Sequence, residues 1–188
     1  MWRHLPNLIS GLRVLLVLPV FWAISERDYG IALLIAAVAG ASDAVDGYLA
    51  KRFDWQSRLG EMLDPLADKL LLMAAFLALV LVDELPMWLF ALVIARDVLI
   101  VAGAVAYHNL IGPFDAQPSR LSKLTTLVQI LCVLAELLRL SVVGALPGAL
   151  LVVPTALLTA ASGIHYVVVW SMRAWRTVSQ RRHGDSSR

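Results

Sequence analysis

The sequence holds one cysteine, Cys132, set in an apolar run, so neither an intrachain disulfide nor a cysteine zinc cluster is open to it. Charge is also scarce. Only 16% of the 188 residues are charged, against roughly 25% in ordinary soluble domains. The 16 basic and 14 acidic side chains nearly cancel to +2, which gives no electrostatic case for a nucleic-acid partner. There is no internal repeat and no sign of a second domain. Residues 1–9 lead into a full-length apolar run with no A-x-A site, so a cleavable signal is not expected. What is abundant is apolar: 60% of the chain is hydrophobic, and the mean hydropathy is +0.76. A water-soluble chain of this size could not hide so much apolar surface in one core. The expected class is an all-α, polytopic integral membrane protein.

A spanning helix needs about 20 mostly apolar residues, and the sequence accommodates six such helices. They are expected over 8–25, from Tyr29 to Lys51, 60–82, 86–108, 119–140 and from beyond Gly148 to Arg176. Pro86 is placed in the first turn of the fourth. The polar tail 177–188 follows the 1–176 membrane domain and is expected to be disordered. With six spans, Arg3, Lys51, Arg52, Arg58, Arg120, Lys123 and the basic residues after 172 share one side with both termini. Arg27 and Arg139 face the other. The positive-inside rule then makes both termini cytoplasmic.

The costly residues gather in one hairpin. Asp43 and Asp46 are three apart, Asp64 and Asp68 are four apart, and each pair shares a helix face. If the two helices pack antiparallel, four carboxylates converge near the inner membrane boundary. Each costs about 2.5–3.5 kcal/mol at mid-bilayer on insertion scales. Divalent cations relieve that cost, and Mg²⁺ or Mn²⁺ prefers all-oxygen ligands. Two such ions could bridge the acids to a substrate diphosphate. Gly47 and Gly60 permit close approach, and Lys51 and Arg52 lie within reach of a phosphate. A proton or cation pathway, and a purely structural polar cluster, are the rival readings of the same acids. Acids confined to one hairpin, without repeat symmetry, disfavour a transporter.

The pattern Asp43-x2-Asp46-Gly47-x2-Ala50-Lys51-x8-Gly60-x3-Asp64-x3-Asp68 resembles the signature of the CDP-alcohol phosphotransferase family. It departs only at Lys51, where the signature has arginine, so a point charge stands in for a bidentate fork. The resemblance covers nearly the whole chain. It implies a six-helix transferase with a cytoplasmic-facing site in a bacterial-type inner membrane, and a homodimer in which Gly103, Ala104 and Gly163 offer packing faces. It implies that Asp43, Asp46, Asp64 and Asp68 hold two Mg²⁺ or Mn²⁺ ions, and that Asp68 is also the general base on an alcohol. Gly47, Ala50 and Gly60 then shape the CDP pocket, with Lys51 near the phosphates. Asn7 and Arg13, in LPNLISGLR, read either as nucleotide contacts or as an interfacial cap and a snorkelling arginine.

The expected donor is CDP-diacylglycerol, with release of CMP. Arg96, Arg120 and Lys123 are the candidate acceptor-binding cations; the rival reading of Arg96 and Asp97 is that they pair with other helices. The runs Ala95-Arg96-Asp97-Val98 and Ser119-Arg120-Leu121-Ser122-Lys123 resemble family members that use glycerol 3-phosphate or phosphatidylglycerol. Members using glycerol 3-phosphate typically carry an arginine at the position of Gly103 and a glycine at that of Ser122. A phosphomonoester calls for more cationic contacts than a phosphodiester, so phosphatidylglycerol ranks first and glycerol 3-phosphate second. Glu136 and Arg139 are expected to form a structural ion pair, His165 to be a packing residue, and Trp2, Trp88, Trp170 and Trp175 to anchor at the interfaces.

Overall fold

In a computed structural model, six α-helices form among the described residues, and no strand does. The backbone is described over 5–53, 58–111, 119–143 and 150–185, and side chains over 11–42, 66–109, 119–142 and 150–172. The helices are α1 (Leu5–Ser25), α2 (Tyr29–Phe53), α3 (Arg58–Leu81), α4 (Met87–Ile111), α5 (Arg120–Leu138) and α6 (Val152–Asp185). A π-helical turn, Arg139–Val143, extends α5. Pro86 precedes α4 instead of sitting inside its first turn. The sixth helix continues through Asp185, so 177–185, expected to be disordered, is helical.

Three stretches are long and apolar enough to cross a membrane among the described residues: Met87–Asn109, Arg120–Val142 and Val152–Met172. Gly11–Ser25 and Tyr29–Ser42 are apolar but shorter.

The chain divides into two compact units, Met1–Met87 with Gln129–Leu151, and Trp88–Val128 with Val152–Arg188. In the first, α1 packs against both α2 and α3. Two contacts fix its register. Arg13 pairs with Asp68, and Arg27 reaches the Val82 carbonyl at 3.5 Å, each across 55 residues of sequence. A constant offset means α1 and α3 run parallel, as two up-going helices flanking a down-going one must. Buried alanines, Ala32 and Ala39 on α2 and Ala75 and Ala78 on α3, let backbones come close.

The two turns of this unit end their helices in the same way. Asp28 N–H donates to the Ala23 carbonyl at 2.8 Å and Arg27 N–H to that of Ile24 at 2.9 Å. Glu84 and Asp83 repeat the pattern on Leu79 (2.9 Å) and Val80 (3.1 Å). Both are Schellman caps, and each puts a non-glycine residue in the left-handed region, Arg27 at φ 62° and Asp83 at φ 63°. Beside them, Arg139 binds Glu136 (2.6 and 3.0 Å) and Glu84 (2.7 Å). The expected Glu136–Arg139 pair is therefore present, with a second acid joined to it.

The second unit turns its polar groups inward. Arg96, Asp97, Thr125, Thr155, Thr159 and Ser162 are buried, while Val98, Val101, Leu157 and Ile164 are exposed. The first unit is also apolar outside, with Leu15, Leu18 and Trp22 about 70% exposed along one face of α1. Apolar faces out and polar groups in is the arrangement expected where lipid is the solvent.

Candidate active site

The acidic motif lies on two continuous helices. Asp43, Asp46, Gly47, Ala50 and Lys51 belong to α2, and Gly60, Asp64 and Asp68 to α3. The helical spacing expected of each aspartate pair therefore holds in the backbone. The side chains of Asp43, Asp46 and Asp64, and that of Asn7 on α1, lie outside the described residues, as does the opposition of the two acidic faces. Among the described residues no group of three or more His, Cys, Asp or Glu side chains is poised for a metal.

Asp68 is described, and its partner is informative. The Arg13 guanidinium donates to Asp68 Oδ1. Arg13 was open to two readings from sequence, a nucleotide contact or a snorkelling arginine. Its side chain is instead 2% exposed and turned inward onto the acid, so it does not snorkel. The acid itself is 49% exposed.

Arg13 and Asp68 form the polar end of a cavity of about 170 Å³ within the first unit. Its other walls are apolar, with Ala39 from α2, Leu71 and Leu72 from α3, and Ile130 and Val133 from α5. The pair is shielded on the Arg13 side only, where the guanidinium is buried, while the Asp68 carboxylate stays open to its surroundings.

In the second unit Arg96 is a hub. Its guanidinium donates to Asp97 Oδ1 (2.8 Å), to Ser162 Oγ (2.9 and 3.2 Å) and to Ser122 Oγ (2.6 Å). The serine at 122, where glycerol 3-phosphate users typically have glycine, is thus an acceptor that a glycine could not supply. Gly163, expected on a dimer-packing face, is buried, and a Cβ there would sit 3.7 Å from Arg96 Cγ. Arg120 and Lys123 are exposed in the first turn of α5. That turn is capped: Ser119 Oγ accepts from Ser122 N–H (3.1 Å), and Ser119 N–H donates to Tyr166 Oη (3.3 Å). A capped helix start bearing two cations and no acid draws anions. His165, expected to pack, is exposed beside Tyr166. Trp88 is exposed and Trp170 meets Tyr107 edge-on at 5.2 Å, while Trp2 and Trp175 lie outside the described side chains.

Residues 3–170 match the model of one known family, described as CDP-alcohol phosphatidyltransferase. The chain belongs to that family. Family members similar to it include a cardiolipin synthase (CMP-forming) of Rattus norvegicus, 35% identical over 149 residues, which cover 71% of this chain and 49% of the relative. The cardiolipin synthase (CMP-forming) of Streptomyces coelicolor is 34% identical over 113 residues, covering 56% of this chain and 53% of the relative. The CDP-diacylglycerol–glycerol-3-phosphate 3-phosphatidyltransferase of Bacillus subtilis is 34% identical over 159 residues, covering 72% of this chain and 77% of the relative. The chain spans about half the length of the cardiolipin synthases it matches.

Proposed function

We propose that this chain is a metal-dependent phosphatidyltransferase that moves the phosphatidyl group of CDP-diacylglycerol onto phosphatidylglycerol, releasing CMP and forming cardiolipin. The observation that carries this reading within the family is the position of Asp68. The candidate base is partly exposed and stands at the polar end of an otherwise apolar cavity. A lipid alcohol presents that combination: a hydroxyl beside acyl chains.

In the reaction, the acceptor hydroxyl oxygen attacks the β-phosphorus of the CDP-lipid. The bond from that phosphorus to the bridging oxygen breaks, CMP leaves with the bond's electrons, and the hydroxyl proton passes to the Asp68 carboxylate. Asp43, Asp46, Asp64 and Asp68 make an all-carboxylate donor set that suits Mg²⁺ or Mn²⁺, and these residues would hold two such ions. When bound, the ions supply charge neutralisation at the diphosphate. Asn7, Gly47, Ala50, Lys51 and Gly60 are assigned to the CDP moiety. Arg120 and Lys123 are assigned to the acceptor's phosphate, with Arg96 bracing their turn through Ser122.

The topology belongs to the same proposal: six spans, both termini cytoplasmic, and the site at the cytoplasmic face of a bacterial-type inner membrane, in a homodimer. The meeting of Arg27 with Val82 and of Arg139 with Glu84 supports it, because alternating spans bring those helix ends to one side.

Glycerol 3-phosphate is the second acceptor, favoured by the likeness to the Bacillus subtilis transferase. The test is CMP release from labelled CDP-diacylglycerol by purified protein with Mn²⁺ or Mg²⁺, offering each acceptor in turn. Release with phosphatidylglycerol, and labelled cardiolipin as product, is expected. Release with glycerol 3-phosphate alone reverses the ranking. Ion flux in proteoliposomes without CMP chemistry would instead favour a transporter.

A further inference from the structure

We infer that Arg13 is a positioning residue, whose guanidinium holds the Asp68 carboxylate in the orientation in which it takes the acceptor's proton. The inference rests on the role proposed for Asp68. The ion pairs among the described residues differ in how far their acids are exposed. In Arg96–Asp97 both side chains are sealed, at 4% and 9% exposure, and in Arg139–Glu136 at 17% and 5%. Arg139–Glu84 stands at 17% and 22%, so each of these ties between or along helices keeps its acid mostly covered. Arg13–Asp68 departs from them in the acid alone, with the cation at 2% and the acid at 49%. A tie between α1 and α3 has no use for an open carboxylate; a presented base does.

A buried arginine in an apolar helix is costly, so its retention needs compensation, and the compensating group here is Asp68. The guanidinium is planar and sealed by its surroundings, so it fixes the direction of what it binds, whereas a lone Asp turns about two side-chain bonds. A carboxylate has about four acceptor sites, so engagement of Oδ1 does not exhaust the group's capacity for a proton or a metal. The arm and the base also sit on rigid elements. Arg13 lies midway along α1 and Asp68 near the middle of α3, and the common offset of 55 holds the two helices at one level. Both residues line the same cavity, whose remaining walls are almost all apolar, so a hydroxyl entering it meets this pair as its polar landmark.

The experiment compares wild type with the Arg13→Gln and Arg13→Lys variants in detergent or proteoliposomes. For Arg13→Gln, kcat for CMP release is expected to fall by about 10- to 100-fold, the usual loss when a group orienting a ligand or base is removed. KM for CDP-diacylglycerol is expected to stay within about twofold, since substrate contacts are untouched. Arg13→Lys keeps the charge without the fork and should recover part of kcat. Without turnover, Mn²⁺ titration followed by EPR should show weaker binding in Arg13→Gln, by about 10-fold, because a loosened Asp68 is a poorer ligand. In an Asp68→Asn background, Arg13→Gln should change the residual rate no further. A folded Arg13→Gln protein with wild-type kcat, or with wild-type Mn²⁺ affinity, overturns the inference. Should Arg13→Gln fail to fold, Arg13→Lys decides: a wild-type kcat in that variant overturns it. A wild type that releases no CMP at all is a different result and refutes the proposed reaction itself.

Discussion

Arg96→Met is the most informative stability perturbation in the second unit. The side chain keeps its apolar stem against Gly163 but loses every contact of the guanidinium. Two effects compete for the size of the loss. Hydrogen bonds between membrane helices average about 0.6 kcal/mol each, so the serine contacts account for roughly 1–2 kcal/mol. Taking the guanidinium from beside the Asp97 carboxylate, whose side chain is only 9% exposed, costs more, about 3–5 kcal/mol for a broken buried pair. The broken ion pair therefore dominates. Unfolding in detergent, by heat or by titrated denaturant, should show Arg96→Met destabilised by about 4 kcal/mol. Ser162→Ala should lose only about 1 kcal/mol. Arg96→Met with Asp97→Asn also removes the buried negative charge and should recover most of the single-variant loss. If the double variant is no more stable than Arg96→Met, the charge is not the cause. The loss then lies in the serine contacts or in packing.

Arg139→Met should destabilise the first unit by about 3 kcal/mol, because Glu84 and Glu136 would face each other without their shared cation. Arg139→Lys should cost visibly less in the same unfolding assay. Asp83→Gly should stabilise the protein by about 1 kcal/mol, since Asp83 holds φ 63° at a helix C-cap where glycine is unstrained. An unchanged or lowered unfolding midpoint would contradict that reading of the turn.

Much of the architecture was legible because lipid reverses the usual partition of residues. Long apolar runs interrupted by Ser25–Asp28 and by Asp83–Pro86 placed the helices, and the caps in the structure fall at those breaks. The helix ends were harder. The π-turn after Leu138 and the extension of α6 to Asp185 follow no period in the sequence. The acids on α2 and α3 were found by spacing, since three or four residues on a helix is a local relation. Arg13–Asp68 was missed because 55 residues separate the partners. The signal was nonetheless present: a polar arginine in an apolar span needs an acid at its own depth. Counting back from the two helix ends, Arg13 and Asp68 lie at nearly the same level. Ser122 shows the opposite failure. It reads as a departure from the family pattern, and its role as an acceptor for Arg96 needs α4 and α5 brought together.

CMP release by an Asp68→Asn protein tests most directly whether Asp68 serves a phosphatidyl transfer. The measurement uses labelled CDP-diacylglycerol, phosphatidylglycerol and Mn²⁺ with wild-type and variant protein of equal helicity and unfolding midpoint. The expected result is CMP and cardiolipin formed in equal amounts by the wild type, and a rate at least about 100-fold lower in the variant, the scale of losing general-base catalysis. A folded Asp68→Asn protein that releases CMP at the wild-type rate would contradict the account.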